Sequence, residues 1–241
     1  MVDPQAVKIF TVCFEYPDRP DYAKLLRVFR ESCRLYMPQA EFVEIHPVAP
    51  PYEPDRIPGF LDNTYKLLYW LKYFQETNDN IIFADCDMLA VRPGYHAFDI
   101  DFDVAYTAIT PPYKAILNGG ILMTKPTDGA FRFLNALREI NDLMFLDIPF
   151  HEKWRAKYAG MNQAAFGCAL ETTSTGAKIH KYMTWEWNAI DRDFNLMNHR
   201  TVFVHMKSKI RELVMHGKAP TGVYADAMRK WYHIARGMKG K

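Results

Sequence analysis

The sequence predicts an α/β sandwich around a mostly parallel central sheet, and three observations carry that expectation. Short β-branched apolar runs alternate with helix-length segments of helical periodicity. One such run, Ile81 to Ala84, leads directly into two carboxylates, Asp85 and Asp87. That is where an open α/β sheet presents its ligand, beyond the carboxyl ends of its strands. No repeat or flexible linker divides the 241 residues, so residues 1–241 are expected to form one domain with a basic C-terminal segment, 205–241.

Taken in order, Ala6 to Phe14 is short, β-branched and apolar, and reads as a buried strand. Pro20 and Asp21 then open a helix with Tyr22, Leu25, Leu26, Phe29, Cys33 and Tyr36 on one face, stopped by Pro38. Glu41 to Val48 is a second strand, followed by an irregular loop through Pro50, Pro51, Pro54 and Pro58. The helix from Asp62 to Glu76 is apolar on nearly every side, which places it between layers. The strand ending in Asp85 comes next, then strands at Val104 to Ile109 and Gly120 to Thr124. Thr127 caps a helix carrying Phe133, Leu137 and Ile140. A mixed region runs to Asp193, and Thr201 to His205 is the last strand.

Composition narrows the function classes. With 49% hydrophobic, 15% aromatic and 24% charged residues, the chain has core enough to exclude a largely disordered protein. Its longest apolar runs fall short of the roughly 18 residues of a spanning helix. The start, MVDPQAVKIF, lacks the pattern of a secretory leader. Cys13, Cys33, Cys86 and Cys168 show no paired spacing, so a reducing, cytoplasmic setting is expected. The net charge of +2 hides an asymmetry: residues 205–241 carry nine Lys/Arg against two Asp/Glu, a net of +7. Such a segment suits a phosphate-rich ligand or an anionic partner; for its last ten residues a solvated tail is the alternative.

Two carboxylates leaving a buried strand repel each other unless a cation neutralises them. Mn²⁺ or Mg²⁺ takes oxygen ligands and leaves positions for a diphosphate. His205 ends its apolar strand beside Lys207, Lys209 and Arg211, so an imidazole ligand and phosphate-holding cations stand together. The alternatives are two solvated loop aspartates and a structural histidine.

The order NTYKLLYWLKYFQETNDNIIFADCDMLAVRP, LNGGILMTK, MNQAAF, WEWN and VFVHMKSKIR resembles the GT-A fold glycosyltransferases over residues 7 to 211. It is most similar to the glycogenin and galactosyltransferase-like group of glycosyltransferase family 8. The resemblance implies a Rossmann-like α/β/α sandwich with a mixed, mostly parallel sheet. It also implies Mn²⁺ (or Mg²⁺) held by Asp85, Asp87 and His205, and a nucleotide-diphosphate sugar, such as a UDP-sugar, as donor. By the same resemblance Thr11, Val12, Phe14 and Tyr16 hold the nucleoside, and Lys66 reaches the site; a lysine snorkelling from an apolar helix is the structural alternative. Asn118, Gly119 and Gly120 then face donor sugar and acceptor, although a tight turn of positive φ explains the glycines equally well.

Three departures from the family pattern stand out. Asn162-Gln163 replaces the usual Asp-Gln. His205-x-x-Ser208-x-x-Arg211 keeps a cation but loses a glycine. Trp187-Asn188 matches an aromatic-Asn segment, while Trp185 and Trp187 also suit ordinary strand packing.

The reaction implied is transfer of a sugar to a hydroxyl acceptor, with retention of configuration and Gln163 near the reacting carbon. An inverting course needs a carboxylate base, for which Asp147, Glu152, Glu186, Asp191 and Asp193 come late enough in the chain. A glycan is the expected acceptor. DNA is the alternative, with Trp231 and Tyr232 among the cations of the C-terminal segment. A zinc-protease reading of His151-Glu152 fails because Arg155 stands at the position of the second histidine. Phosphatase and nucleotidyltransferase readings lack their usual motif context, and a non-catalytic nucleotide- or sugar-binding relic remains as a further alternative.

Overall fold

The computed structural model describes residues 7–16, 21–50, 60–109, 117–159 and 161–238. Ala6, Pro20, the loop prolines Pro51, Pro54 and Pro58, and residues 239–241 of the basic segment lie outside the described residues.

A six-stranded sheet runs in the order β2-β1-β3-β6-β5-β7. It is formed by β1 (Val7–Val12), β2 (Glu41–Ile45), β3 (Asn80–Asp85), β5 (Val104–Ala108), β6 (Leu117–Thr124) and β7 (Ile179–Met183). Three of its pairings are parallel (β1 with β2, β1 with β3, β5 with β7), and β6 runs antiparallel to both neighbours. The predicted mixed, mostly parallel α/β architecture is the one observed. Strand β7, from the region read only as mixed, is one of the two edge strands; its sequence IHKYM, broken by His180 and Lys181, gives little strand signal.

Alternation along the strands separates two cores. Phe10, Val12, Ile81 and Phe83 point to the face covered by α2 (Phe60–Glu76), α3 (Asp128–Leu146), α4 (Ile148–Lys157) and α5 (Met161–Thr172). Val7, Ile9, Ile82 and Ala84 point to the other face, against Phe29 and Cys33 of α1 (Asp21–Tyr36) and against Trp187 and Phe203. The apolar character of α2 follows from its position: Leu67, Trp70 and Phe74 are buried in the first core, where α2 also meets α3 and α5. Thr127 caps α3 as expected, its hydroxyl accepting from the Ala130 amide.

A second, two-stranded sheet pairs β4 (Met88–Ala90) with β8 (Phe203–His205) in antiparallel register. The WEWN segment is not a strand. Thr184–Trp187 forms a short helix, α6, that buries Trp187 completely.

Of the last ten residues of the basic C-terminal segment, 232–238 are described, and they continue a packed helix and are not a solvated tail. The segment folds into α7 (Ser208–Met215) and α8 (Ala225–Gly237), whose Ile210, Val214, Met228, Trp231 and Ile234 form a third core with Leu25 and Val28 of α1. Trp231 is 2% exposed, and the Tyr232 hydroxyl donates to the carbonyl of Lys218. Burial of the indole removes it as a stacking platform for nucleic-acid bases, and with it the main structural ground for the DNA alternative.

Candidate functional site

The site lies beyond the carboxyl ends of β1 and β3, whose parallel register sets Val12 beside Asp85. Asp87 follows two residues later, where the chain turns into β4. The small sheet then brings in the distant partner: Met88 pairs with His205, and the Met206 amide donates to the Asp87 carbonyl at 2.7 Å. Backbone pairing therefore closes the long sequence gap between the carboxylates and the imidazole.

One ligand atom from each of Asp85, Asp87 and His205 lies within 4.8 Å of the others. His205 Nε2 stands 3.1 Å from Asp87 Oδ1 and 3.6 Å from Asp85 Oδ2. Asp87 is 7% exposed and His205 4%, so neither is a solvated loop residue. Burial would raise the Asp87 carboxyl, but His205, Arg211 and Lys207 around it more than offset that and hold it below the ordinary carboxylate value. Two carboxylates and an imidazole nitrogen, inward-facing and close, form a donor set that fits Mn²⁺ or Mg²⁺.

Lys66 does not snorkel. It is 6% exposed, and its ammonium donates to Asp85 Oδ1 at 2.6 Å. Val12, Phe14, Tyr16 and Lys66 line a cleft of about 320 Å³ that has the three acid and imidazole residues along its wall. Thr11 is fully buried within β1 and does not line that cleft.

Of the C-terminal cations, Arg211 comes closest, its guanidinium 3.8 Å from Asp87 Oδ2 and bonded to the Tyr22 hydroxyl at 2.9 Å. Lys207 is partly buried; desolvation depresses its pKa against the opposing pull of Asp85, Asp87 and Asp191. Lys209 turns away, its ammonium bonded to Glu212 at 3.0 Å on an exposed helix face.

The Asn118-Gly119-Gly120 segment lies inside β6 and is not a turn before it. Its glycines have no positive φ; that expectation is corrected by close approach. A Cβ on Gly119 would stand 2.7 Å from Asn162 Oδ1, and one on Gly120 would stand 2.7 Å from His205 Nδ1. Gln163 donates from Nε2 to the Leu117 carbonyl at 2.6 Å, so the start of α5 is clasped to the start of β6. Asn162 is 5% exposed and its Nδ2 has no hydrogen-bond partner among the described residues.

The one non-glycine residue with positive φ among the described residues is Ser208, at 52°. The position where the family pattern carries glycine thus keeps a glycine-type backbone with a serine on it.

Four residues of the cleft escaped the sequence reading: Tyr22, Asp62, Asn63 and Cys86. Asp62 precedes Lys66 by one helical turn, a same-face spacing that would have found it. Burial raises its pKa, and its carboxylate accepts from the Tyr16 hydroxyl. The signal for Tyr22 was weaker, because it reads as one more apolar position on α1.

Neither a protein-family model nor a curated protein matches the sequence. Solved structures do match by fold. A glycosyltransferase involved in the glycosylation of the major capsid of PBCV-1 superposes with a TM-score of 0.59 at 14% identity, over 87% of this chain and 98% of that one. The galactosyltransferase LgtC, solved with donor and acceptor sugar analogues, gives 0.56 at 12% identity over 95% of both chains. The glycosyltransferase GlyE of Streptococcus pneumoniae TIGR4 gives 0.57 at 9% identity, over 97% of this chain and 63% of its own. None of the described helices is long and apolar enough to cross a membrane. The chain therefore has the GT-A fold found in these family 8-type glycosyltransferases.

Proposed function

We propose that the protein is a metal-dependent glycosyltransferase that moves a sugar from a nucleoside-diphosphate sugar, a UDP-sugar by resemblance, to a hydroxyl of a glycan acceptor. The observation that carries this reading is the convergence of Asp85, Asp87 and His205 within 4.8 Å, in the wall of a cleft that also contains Lys66. The fold of LgtC, a galactosyltransferase bound to donor and acceptor analogues, supports the same assignment.

Asp85, Asp87 and His205 would hold Mn²⁺ or Mg²⁺, which when bound supplies Lewis-acid stabilisation of a departing diphosphate. Lys66 beside Asp85, Arg211 beside Asp87 and Lys207 acting on both add positive charge around the carboxylates, where leaving-group charge would develop. Phe14, Tyr16 and Tyr22 offer ring faces for the base, with Tyr16 and Tyr22 centroids 6.4 Å apart. Asn162 and Gln163 at the start of α5, facing β6, are assigned to the sugar.

Retention of configuration is favoured because none of the late acids lines the cleft. Glu152 and Glu186 are paired with Arg155 and Arg200, Asp147 caps α4, Asp193 accepts from the Ile190 amide, and Asp191 from the Lys209 amide. The test is a panel of nucleotide sugars with Mn²⁺, scored for donor hydrolysis in the absence of acceptor. Hydrolysis of one donor, abolished by chelation, is the expected result. No hydrolysis of any donor, with a nucleotide still bound, would mark a non-catalytic binding protein.

A further inference from the structure

We propose that Asn188 is a positioning residue that fixes the tautomer of His205, keeping hydrogen on Nδ1 and the Nε2 lone pair turned toward Asp85 and Asp87. Its consequence for metal affinity rests on the reading above; the tautomer itself does not.

The inference starts from a group whose direction is not adjustable. The backbone amide of Gly120 donates to Asn118 Oδ1 at 2.9 Å, so the Asn118 side chain must present its oxygen there. That same oxygen lies 2.9 Å from the Asn188 side chain, which must therefore present its amide nitrogen. The second hydrogen of that nitrogen has a partner in Thr107 Oγ1 at 3.0 Å. Thr107 can accept, because its own hydroxyl hydrogen is given to the Asn118 carbonyl at 3.0 Å.

With its nitrogen committed twice, Asn188 has only Oδ1 left for His205 Nδ1, 3.0 Å away. An amide oxygen cannot donate, so Nδ1 carries the hydrogen. Reversing the Asn188 amide would set two oxygens against each other at Asn118, and reversing Asn118 in turn would set an NH₂ group against the Gly120 N–H. Only one arrangement satisfies every group in this chain of hydrogen bonds, from the Gly120 amide to His205 Nδ1.

Asn188, Thr107, Asn118 and His205 are 0%, 0%, 4% and 4% exposed, so water does not substitute for a missing partner. The backbone holds the pair in place as well. Asn188 caps α6 through its amide to Thr184 O at 2.7 Å, and the next residue, Ala189, accepts from the His205 amide at 2.8 Å. Orientation of a ligating imidazole by a hydrogen bond to its other nitrogen is a general device of metal sites, and partners of that kind affect affinity about 10–100-fold.

The experiment is long-range ¹H–¹⁵N correlation spectroscopy of the His205 ring, in full-length protein without metal, at alkaline pH. The expected spectrum has a pyrrole-type Nδ1 and a pyridine-type Nε2; a pyridine-type Nδ1, or a mixture, overturns the proposal. Asn188→Ala should populate both tautomers and weaken Mn²⁺ binding, read by electron paramagnetic resonance, about 10–100-fold. Asn118→Asp keeps an acceptor for the Gly120 and Asn188 donors and should leave the wild-type tautomer in place. A single Nδ1–H tautomer with unchanged Mn²⁺ affinity in Asn188→Ala also overturns the proposal. If that variant fails to fold, the wild-type spectrum alone decides. Because the spectrum needs neither donor nor acceptor, it stands or falls separately from sugar transfer.

Discussion

Gly120 lies directly beneath His205: a Cβ at that position would stand 2.7 Å from both Cε1 and Nδ1 of the imidazole ring. Real Cβ atoms do not approach so closely, so the absence of a side chain at Gly120 is what lets the imidazole reach both carboxylates. Gly120→Ala should displace the ring and weaken Mn²⁺ binding about 10-fold or more, which is about 1.4 kcal/mol. Overpacking should also lower stability by about 1–3 kcal/mol. Calorimetric Mn²⁺ titration and urea unfolding read the two effects, and full affinity in the variant would refute the packing claim.

Ser208 sits at φ 52°, a conformation in which a Cβ costs about 1–2 kcal/mol and glycine costs nothing sterically. Against that relief stands the greater freedom of glycine in the unfolded chain. Ser208→Gly should therefore stabilise the protein by about 0.5 kcal/mol. A lower urea midpoint for the variant would show that the serine is not strained there.

Asp62 faces the cleft, and burial raises its pKa. The native state then holds this proton more tightly than the unfolded chain, whose carboxyl titrates at about 3.9. The contribution of this group to stability is greatest below the unfolded value and falls as pH rises toward the raised native one. Asp62→Asn should remove that loss, so its stability gains relative to wild type as pH rises from about 4 toward neutral. Parallel stability curves for the two proteins would contradict the sign.

Trp231 anchors α8 against α1, with Lys24 Nζ 5.1 Å from its ring centroid. Trp231→Ala should cost about 3–5 kcal/mol. An exposed ring, as a DNA-stacking role requires, would give almost no stability change and a loss of DNA affinity instead. Thermal unfolding separates these outcomes.

The ease of reading each part from sequence followed from how local its cause is. The strand before Asp85 announces itself, because a central strand buried on both faces is a continuous apolar run. Three-residue β4 and β8 carry no pattern of their own; β8 is recognisable only by its apolar run into His205. Their pairing, which sets Met88 against His205, is non-local and invisible in periodicity. Helix α8 is hidden by the net positive charge of the segment around it, although Ala227, Met228, Trp231 and Ile234 follow helical spacing. A tight turn does not account for the glycines of β6. Sequence marks where a side chain is missing but not which neighbour fills the space, and at Gly119 and Gly120 those neighbours are Asn162 and His205.

The most direct test of a cation shared by Asp85, Asp87 and His205 is titration calorimetry of a nucleoside diphosphate, with and without Mn²⁺, on wild type and Asp87→Ala. The expected result is nucleotide binding by wild type that requires Mn²⁺, lost in Asp87→Ala while its circular dichroism spectrum is unchanged. Equal nucleotide affinity in EDTA, or in the folded Asp87→Ala variant, would contradict it.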